Sequence, residues 1–336
     1  MKVEGKAKWG ILGTAKIARE ALVPGIRDAS NSELAGIASR SKESAGEFAE
    51  RFDVPNSFGS YEELLEDDSI DFVYVPLPNH LHGKWSREAA RHGKHVLCEK
   101  PLGATAREVA ETFEVAEKEG VTLMEGFMYR FHPQVRKVKE LLEEGIIGEP
   151  RFFRGAHSFS LVTENREDDI RWKEEMDGGS LMDLGTYSVN TVRYLFDEEP
   201  NRVFAGDRKH PDHTAEAETQ AILEFPGNKS AAIDSSFLLD HRANYEVVSE
   251  NGKIEAFNTY NPGLGKETRI EIKKGNVTEK EAVKGVNEYA LEVEGLVNSV
   301  KEGTRLLVDP EDSINNAKVL EAIRESAEKE RWVELQ

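Results

Sequence analysis

The chain of 336 residues is 38% hydrophobic and 32% charged, too long for one ordinary core and suited to two domains sharing an interface. Its 63 acidic against 44 basic residues leave a formal net charge of −19, which repels nucleic acid and anionic membrane surfaces. No run is long enough to span a bilayer, Met1 to Lys8 is polar with no signal-peptide core, and the single Cys98 cannot form an internal disulfide, so a cytoplasmic address is expected.

From Lys8 to about Glu125, short apolar runs alternate with helical periods. Trp9 to Leu12, Leu34 to Ala38, Phe72 to Val75, His95 to Cys98 and Thr122 to Glu125 read as strands, with helices at Glu43 to Phe52, Trp85 to Arg91 and Arg107 to Glu119 between them. Alternating βα units of this length predict a parallel, doubly wound α/β sheet and a dinucleotide-binding domain over residues 1–126. The texture changes after Tyr129. Beyond a helix at Val135 to Glu143, strand patterns recur at Phe152 to Ser160, Thr219 to Phe225, Ser230 to Phe237, Tyr245 to Ser249 and Arg269 to Ile272. Most lack intervening helices, so residues 127–336 are expected to form an α+β domain on a mostly antiparallel sheet. Helical stretches at Asn287 to Lys301 and Pro310 to Lys329 are expected to pack between the domains.

Gly13-Thr14-Ala15-Lys16-Ile17-Ala18 falls where the first strand turns into the first helix, the place of a G-x-G-x-x-G fingerprint. Ala18 in the third position still lets helix and strand pack closely, whereas Ala15 in the second crowds a pyrophosphate; an ordinary tight turn is the alternative. The second strand ends in Ser39-Arg40-Ser41-Lys42, where an enzyme preferring NAD would place a carboxylate on the ribose 2′-hydroxyl. Hydroxyls and a guanidinium there bind a 2′-phosphate instead, so NADP is expected over NAD, with a solvated helix start as the alternative. The third strand runs into Pro76-Leu77-Pro78-Asn79-His80-Leu81-His82, whose two histidines lack a completing ligand set; no metal is expected, and the segment reads as a loop over the nucleotide. Glu99-Lys100-Pro101 follows the fourth strand and places a lysine at a strand's carboxyl end, where open α/β sheets bind ligands.

With the Gly13 turn, Pro78-Asn79-His80, Glu99-Lys100-Pro101, Met128-Tyr129-Arg130-Phe131-His132-Pro133 and the run from Gly178-Gly179 through Asp183 to Tyr187 in this order, the chain resembles the Gfo/Idh/MocA family over nearly its whole length. Trp9 to Ala15 and Ile170-Arg171-Trp172 are similar to the branch that holds NADP-dependent D-xylose dehydrogenases, dihydrodiol dehydrogenases and glucose-fructose oxidoreductase. The resemblance implies a Rossmann domain, a large open-faced second sheet that mediates homodimer or homotetramer contacts, and a cis peptide before Pro101. Glucose-fructose oxidoreductase carries an export signal and an amino-terminal arm over its cofactor; neither is expected here, which points to an exchangeable cofactor. The expected cofactor-facing set is Gly13, Thr14, Ala15, Lys16, Ile17, Ser39, Arg40, Ser41, Pro78, Asn79, His82, Glu99, Lys100, Arg130, Arg171 and Trp172.

Asp183 and Tyr187, four residues apart, share one face of a helix beginning near Gly179, while Leu181, Leu184, Val192 and Leu195 fill another. On residue pattern alone they are a structural hydrogen-bond pair. The resemblance implies that Lys100 and Tyr187 lie by the substrate's reacting hydroxyl, with Asp183 holding the substrate or orienting its neighbours. Tyr187 is then the candidate base; a free phenol titrates at about 10, so a cation such as Lys100 must lower it. In the alternative, a neutral Lys100 accepts the proton and Tyr187 positions. Arg130 and Arg171 are expected to reach the nicotinamide or substrate, with salt bridges as the alternative. His157 reads as packing, and His210 and His213 as loop surface. The implied activity is NADP-dependent oxidation of an aldose, D-xylose or D-glucose, at C1 to the lactone. The rivals are chemistry at another sugar carbon (a glycoside 3-dehydrogenase or keto-sugar reductase), trans-dihydrodiol oxidation, glucose-fructose oxidoreduction and a non-catalytic NADP sensor.

Overall fold

The computed structural model describes residues 5–163 and 166–335; Met1 to Glu4 of the polar start lie outside the described residues. The chain forms two compact units. Unit 1 runs to Phe131 and takes up Asn287–Ile314 again, and unit 2 holds His132–Val286 and the chain from Asn315 onward. Where the sequence pattern suggests a single boundary after residue 126, the chain passes between these units after Phe131, Val286 and Ile314.

Unit 1 is built on β1 (Ala7–Leu12), β2 (Ser32–Ala38), β3 (Asn56–Phe58), β4 (Phe72–Val75), β5 (His95–Glu99) and β6 (Leu123–Gly126), in the order β3-β2-β1-β4-β5-β6. Every pair is parallel. The order reverses between β1 and β4, which puts the ligand crevice at the carboxyl ends of those two strands. Helices cover the sheet: α1 (Val23–Asp28), α2 (Lys42–Arg51), α3 (Tyr61–Leu65), α4 (His82–Arg91) and α5 (Ala106–Lys118). Strands covered on both faces read as continuous apolar runs, and β4, Phe-Val-Tyr-Val, is buried throughout. Ser41, Ser60 and Thr105 cap α2, α3 and α5 by accepting a first-turn N–H.

Unit 2 begins with α6 (Pro133–Glu143) and carries β7 (Pro150–Ser158), α7 (Thr186–Phe196), β8 (Arg202–Lys209), β9 (Glu216–Phe225), β10 (Lys229–Ser236), β11 (Arg242–Ser249), β12 (Lys253–Phe257), β13 (Thr268–Lys274) and β14 (Val277–Val283). The chain ends with α8 (Glu288–Glu302), α9 (Pro310–Lys329) and β15 (Val333–Glu334). The nine-stranded sheet runs β14-β13-β12-β11-β7-β10-β9-β8-β15. Its β7–β10 pair is parallel and its other neighbours are antiparallel, the mostly antiparallel sheet expected. Along β9, Ala217, Thr219, Ala221, Leu223 and Phe225 are buried while Gln220 and Ile222 face outward, the period-two signature of a sheet covered on one face. Helix α7 packs so closely on β7 that a Cβ at Gly155 would lie 2.7 Å from Ser188 Oγ. Helix α8 belongs to unit 1, where Gly25 of α1 leaves room for Tyr289. Among the described residues no helix is long and apolar enough to cross a membrane.

Candidate active site

In unit 1, Gly13 follows β1 with φ +94°, a backbone conformation that favours glycine, and a Cβ there would lie 3.0 Å from Leu77 Cδ2. Its N–H donates to Ala38 O at 2.8 Å. Thr14 and Ala15 lead to a helix that opens at Lys16, widens into a π-type turn over Ala18–Leu22 and continues as α1. The Lys16 side chain is exposed and 3.7 Å from Glu20, so what this turn offers an anion is the backbone N–H groups of a helix start. At the end of β2, Arg40 and Ser41 are exposed and Ser39 is half-buried. Ser41 Oγ accepts from Ser44 N, and Lys42 Nζ donates to Ser57 O.

After β4, Pro78 and Asn79 are half-buried and His82 opens α4. The His82 ring is buried, with Nδ1 2.7 Å from Pro101 O and Nε2 2.6 Å from Leu77 O. Burial pushes its pKa down to about 4, against the two carbonyls, which favour the charged ring. His82 is expected to face the nucleotide; its buried ring instead lies between the loop after β4 and the loop after β5, where the single N–H of the neutral ring donates to one of the two carbonyls.

Lys100 and Glu99 are half-buried at the end of β5, and the Lys100–Pro101 peptide is cis. Tyr74 Oη donates to Glu99 Oε1 at 2.5 Å, and Leu102 N donates to Glu125 Oε1 at 2.9 Å. Behind this segment lie Glu288 and Glu292 of α8. Burial, and then Glu99 and Glu288, push the Glu292 carboxyl well above its usual range. Neither oxygen of Glu288 has a hydrogen-bond partner among the described residues. Arg130, expected to approach the nicotinamide, is buried and spans Asp312 Oδ2 at 2.9 Å and Leu307 O at 3.2 Å. It is an internal ion pair that ties Met128–Phe131 to the start of α9.

In unit 2, Gly179, with φ +112°, leads into a π-type turn over Leu181–Gly185 that runs on as α7. Asp183 lies in that turn and Tyr187 in the first turn of α7, with Leu181, Leu184, Val192 and Leu195 buried. Such single π turns recur at functional sites. Arg171 Nε donates to Asp183 Oδ2 at 2.6 Å and Nη1 to Asp169 Oδ1 at 3.3 Å. Asp183, and despite burial Asp169, hold the guanidinium charge more firmly than usual. Trp172, expected beside the cofactor, is instead a core residue: it is 2% exposed among Leu161, Leu184, Ala217 and Phe237. It also stacks on His213 at 4.2 Å, which takes that histidine off the free loop surface. Tyr187 is 6% exposed, its ring centroid 5.2 Å from His157 and 5.4 Å from Tyr260. Burial pushes Tyr260 up to about 12, and its hydroxyl lies 3.1 Å from Ser188 Oγ.

Two family models match these units: one described as an oxidoreductase family with an NAD-binding Rossmann fold over residues 7–127, the other as the GFO/IDH/MocA C-terminal domain over residues 135–255. The chain belongs to the Gfo/Idh/MocA family. As a Gfo/Idh/MocA protein it is an NAD(P)-dependent oxidoreductase. It is 39% identical over 97% of its length, and 99% of the relative's, to D-xylose 1-dehydrogenase (NADP(+)) 2 of Haloferax volcanii. Among solved structures, a variant of a 3-ketoreductase from Actinomadura kijaniata with TDP-benzene and NADP superposes with a TM-score of 0.91 at 30% identity, covering 96% of this chain and 98% of that one. An aldose-aldose oxidoreductase from Caulobacter crescentus with glycerol gives 0.90 at 27%, covering 98% and 100%.

Within the Gfo/Idh/MocA frame, unit 1 brings Gly13, the helix start at Lys16 and the loop through Pro78 and Asn79 to strand ends that flank the crevice, with Lys100 just past the end of the neighbouring β5. Unit 2 brings Arg171 to Asp183. Four holding residues left no mark in the sequence: Tyr74 on Glu99, Glu125 on the loop after Pro101, Asp169 on Arg171, and Glu216, whose carboxylate accepts from Ser180 N at 2.5 Å and Leu181 N at 2.7 Å.

Proposed function

We propose that the chain is an NADP-dependent sugar dehydrogenase that oxidises C1 of an aldose, D-xylose or D-glucose, to the lactone. The observation that carries this reading is the 39% identity, end to end, to an NADP-dependent D-xylose 1-dehydrogenase. The carboxylate-free end of β2 supports NADP over NAD. The residues present fit that cofactor: the bare Gly13 turn and the N–H groups that follow would hold the pyrophosphate, and Ser39, Arg40 and Ser41 the 2′-phosphate. When bound, NADP supplies the hydride acceptor.

Loss of hydride gives C1 carbonyl character, and the hydroxyl proton must leave with it. In this reading Tyr187, ionised to the phenolate, takes that proton and becomes the neutral phenol, and Lys100 supplies the positive charge that lets the phenol ionise near neutrality. Asp183, fixed by Arg171, accepts from a neighbouring sugar hydroxyl and orients the ring. A second reading, reduction of a keto-sugar at C3, is favoured by the likeness to the 3-ketoreductase. We assign oligomer contacts to the outer face of the nine-stranded sheet, where Phe204 and Ile222 pair across β8 and β9, both exposed, with Trp332 beside Phe204.

The test is the initial rate of nicotinamide reduction with NADP and NAD over a panel of aldoses, a glycoside blocked at C1, myo-inositol and an aromatic dihydrodiol. Turnover of free aldoses but not the glycoside is expected. Turnover of the glycoside moves the chemistry to another ring carbon, and silence on all sugars with NADPH bound rejects the dehydrogenase reading.

A further inference from the structure

A helix leaves its first N–H groups without intrahelical partners. At the π-type turn that opens the Asp183 and Tyr187 helix, the neighbouring Ser180 makes no side-chain cap; its Oγ turns to Ser235, 3.0 Å from that hydroxyl. The cap comes from 36 residues further along the chain. Glu216, the first residue of β9, takes Ser180 N on one carboxylate oxygen and Leu181 N on the other. A carboxylate that receives two parallel N–H bonds fixes direction as well as charge. Gly179 is bare at this point, and a Cβ on it would collide with the Glu216 carboxylate.

The same short segment touches the reacting groups. Gly179 O accepts from Asp183 N at 3.1 Å, and Gly179 N donates to Arg171 O at 2.9 Å. A shift of Gly179 to Leu181 therefore moves Asp183 and its partner Arg171 together. We propose that Glu216 is a positioning residue of the active site, whose carboxylate seats the first turn of this helix and so sets where Asp183 and Tyr187 present their side chains. This rests on the reading of those two residues as catalytic.

The charge of the cap responds to pH near neutrality. Burial raises the Glu216 pKa to about 7 against the two backbone donors and the Ser180 hydroxyl, and Asp207 on β8 pushes the same way as burial. Lys209, the register partner of Glu216 on β8, pairs with Glu174 at 3.2 Å, and Ser235 on β10 is uncharged. Protonation turns one of the two acceptor oxygens into a hydroxyl facing an N–H, which opens the cap from below pH 7.

The experiment compares wild type with Glu216→Gln and Glu216→Asp in kcat from pH 6 to 9, NADPH binding, and hydrogen exchange of the peptide spanning residues 178–187. Wild-type kcat is expected to fall below neutrality. In Glu216→Gln that acid limb disappears and kcat at pH 8 drops roughly tenfold, with NADPH affinity kept because unit 1 is untouched. Glu216→Asp keeps the charge and the acid limb with a reduced kcat, and serves where the glutamine variant does not fold. Exchange of the peptide, corrected for the intrinsic rate, is expected to be faster at pH 6 than at pH 8 in wild type only. An unchanged kcat profile in Glu216→Gln, or exchange that ignores the substitution, overturns the proposal. A wild type silent on every sugar faults the activity reading instead, and exchange still decides whether Glu216 seats the helix.

Discussion

Lys100 and Tyr187 reach their places by different physical means. Lys100 follows a strand whose register against β4 and β6 is set by parallel backbone hydrogen bonds, so its place at a carboxyl edge follows from counting along an apolar run. The side chains that steady it come from the adjoining strands and the neighbouring loop: Tyr74 on Glu99, His82 on Pro101 and Glu125 on Leu102. Tyr187 lies on a helix that is irregular at its start and seated by side chains from elsewhere in unit 2, Arg171 on Asp183 and Glu216 on the first turn. A residue's own periodicity places it on a strand or a helix, whereas a distant carboxylate such as Glu216 that seats the helix start leaves no periodic mark.

The comparison breaks most visibly at Lys100. Lys100→Ala is expected to lower kcat by about 10³-fold, within the range for loss of an acid–base group, while NADPH affinity stays within a few-fold. Unchanged kinetics would remove Lys100 from the chemistry. Arg171→Leu is expected to reduce kcat/KM by roughly thirtyfold, about 2 kcal/mol, by freeing Asp183. Arg171→Lys should not restore it, since an ammonium cannot reproduce the fork that spans Asp183 and Asp169. Restoration by lysine would show that charge alone matters.

Arg40→Ala sharpens the view of unit 1. The KM for NADP is expected to rise about tenfold, one charge-assisted contact, with the KM for NAD unchanged. An equal rise for both would show that Arg40 does not read the 2′-phosphate. The smallest effect concerns Glu292, whose pKa is raised by burial and its acidic neighbours. A carboxyl with a raised folded pKa lends its full stability below the unfolded value and loses it as pH rises through the folded one. Glu292→Gln is therefore expected to melt above wild type at pH 8, with the gap closing as pH falls into the ordinary carboxylate range. A gap independent of pH, followed by thermal melts, would refute that origin.

The parallel sheet was legible because its strands are buried on both faces and announce themselves as apolar runs. β3, three residues long, carries too little pattern to read, and β14, Val-Thr-Glu-Lys-Glu-Ala-Val, is exposed over six of its seven residues and has no apolar alternation. The Gly13 turn was legible because its backbone favours glycine. The four residues expected at the cofactor or substrate and found with other partners share one cause. Arg130, His82, Trp172 and Arg171 carry groups suited to a ligand, yet their partners Asp312, Pro101, Leu161 and Asp183 lie 182, 19, 11 and 12 residues away. Side-chain chemistry declares what a residue can bind, and only the fold decides whether protein gets there first. Arg171 is the mild case, since its partner is itself a candidate catalytic group.

The return of residues 287–314 to unit 1 bears on how the protein is made. The face of α1 around Gly25 is covered by Tyr289, so the nucleotide unit lacks a wall until α8 has left the ribosome. Residues 132–286 intervene, which at about 5–20 residues per second take on the order of 10–30 s to synthesise. During that interval the nascent dinucleotide fold waits with apolar surface uncovered, while unit 2 is built between its two pieces. A chain stopped at residue 286 would thus strand the first piece without its cover, although every strand of the cofactor sheet is present.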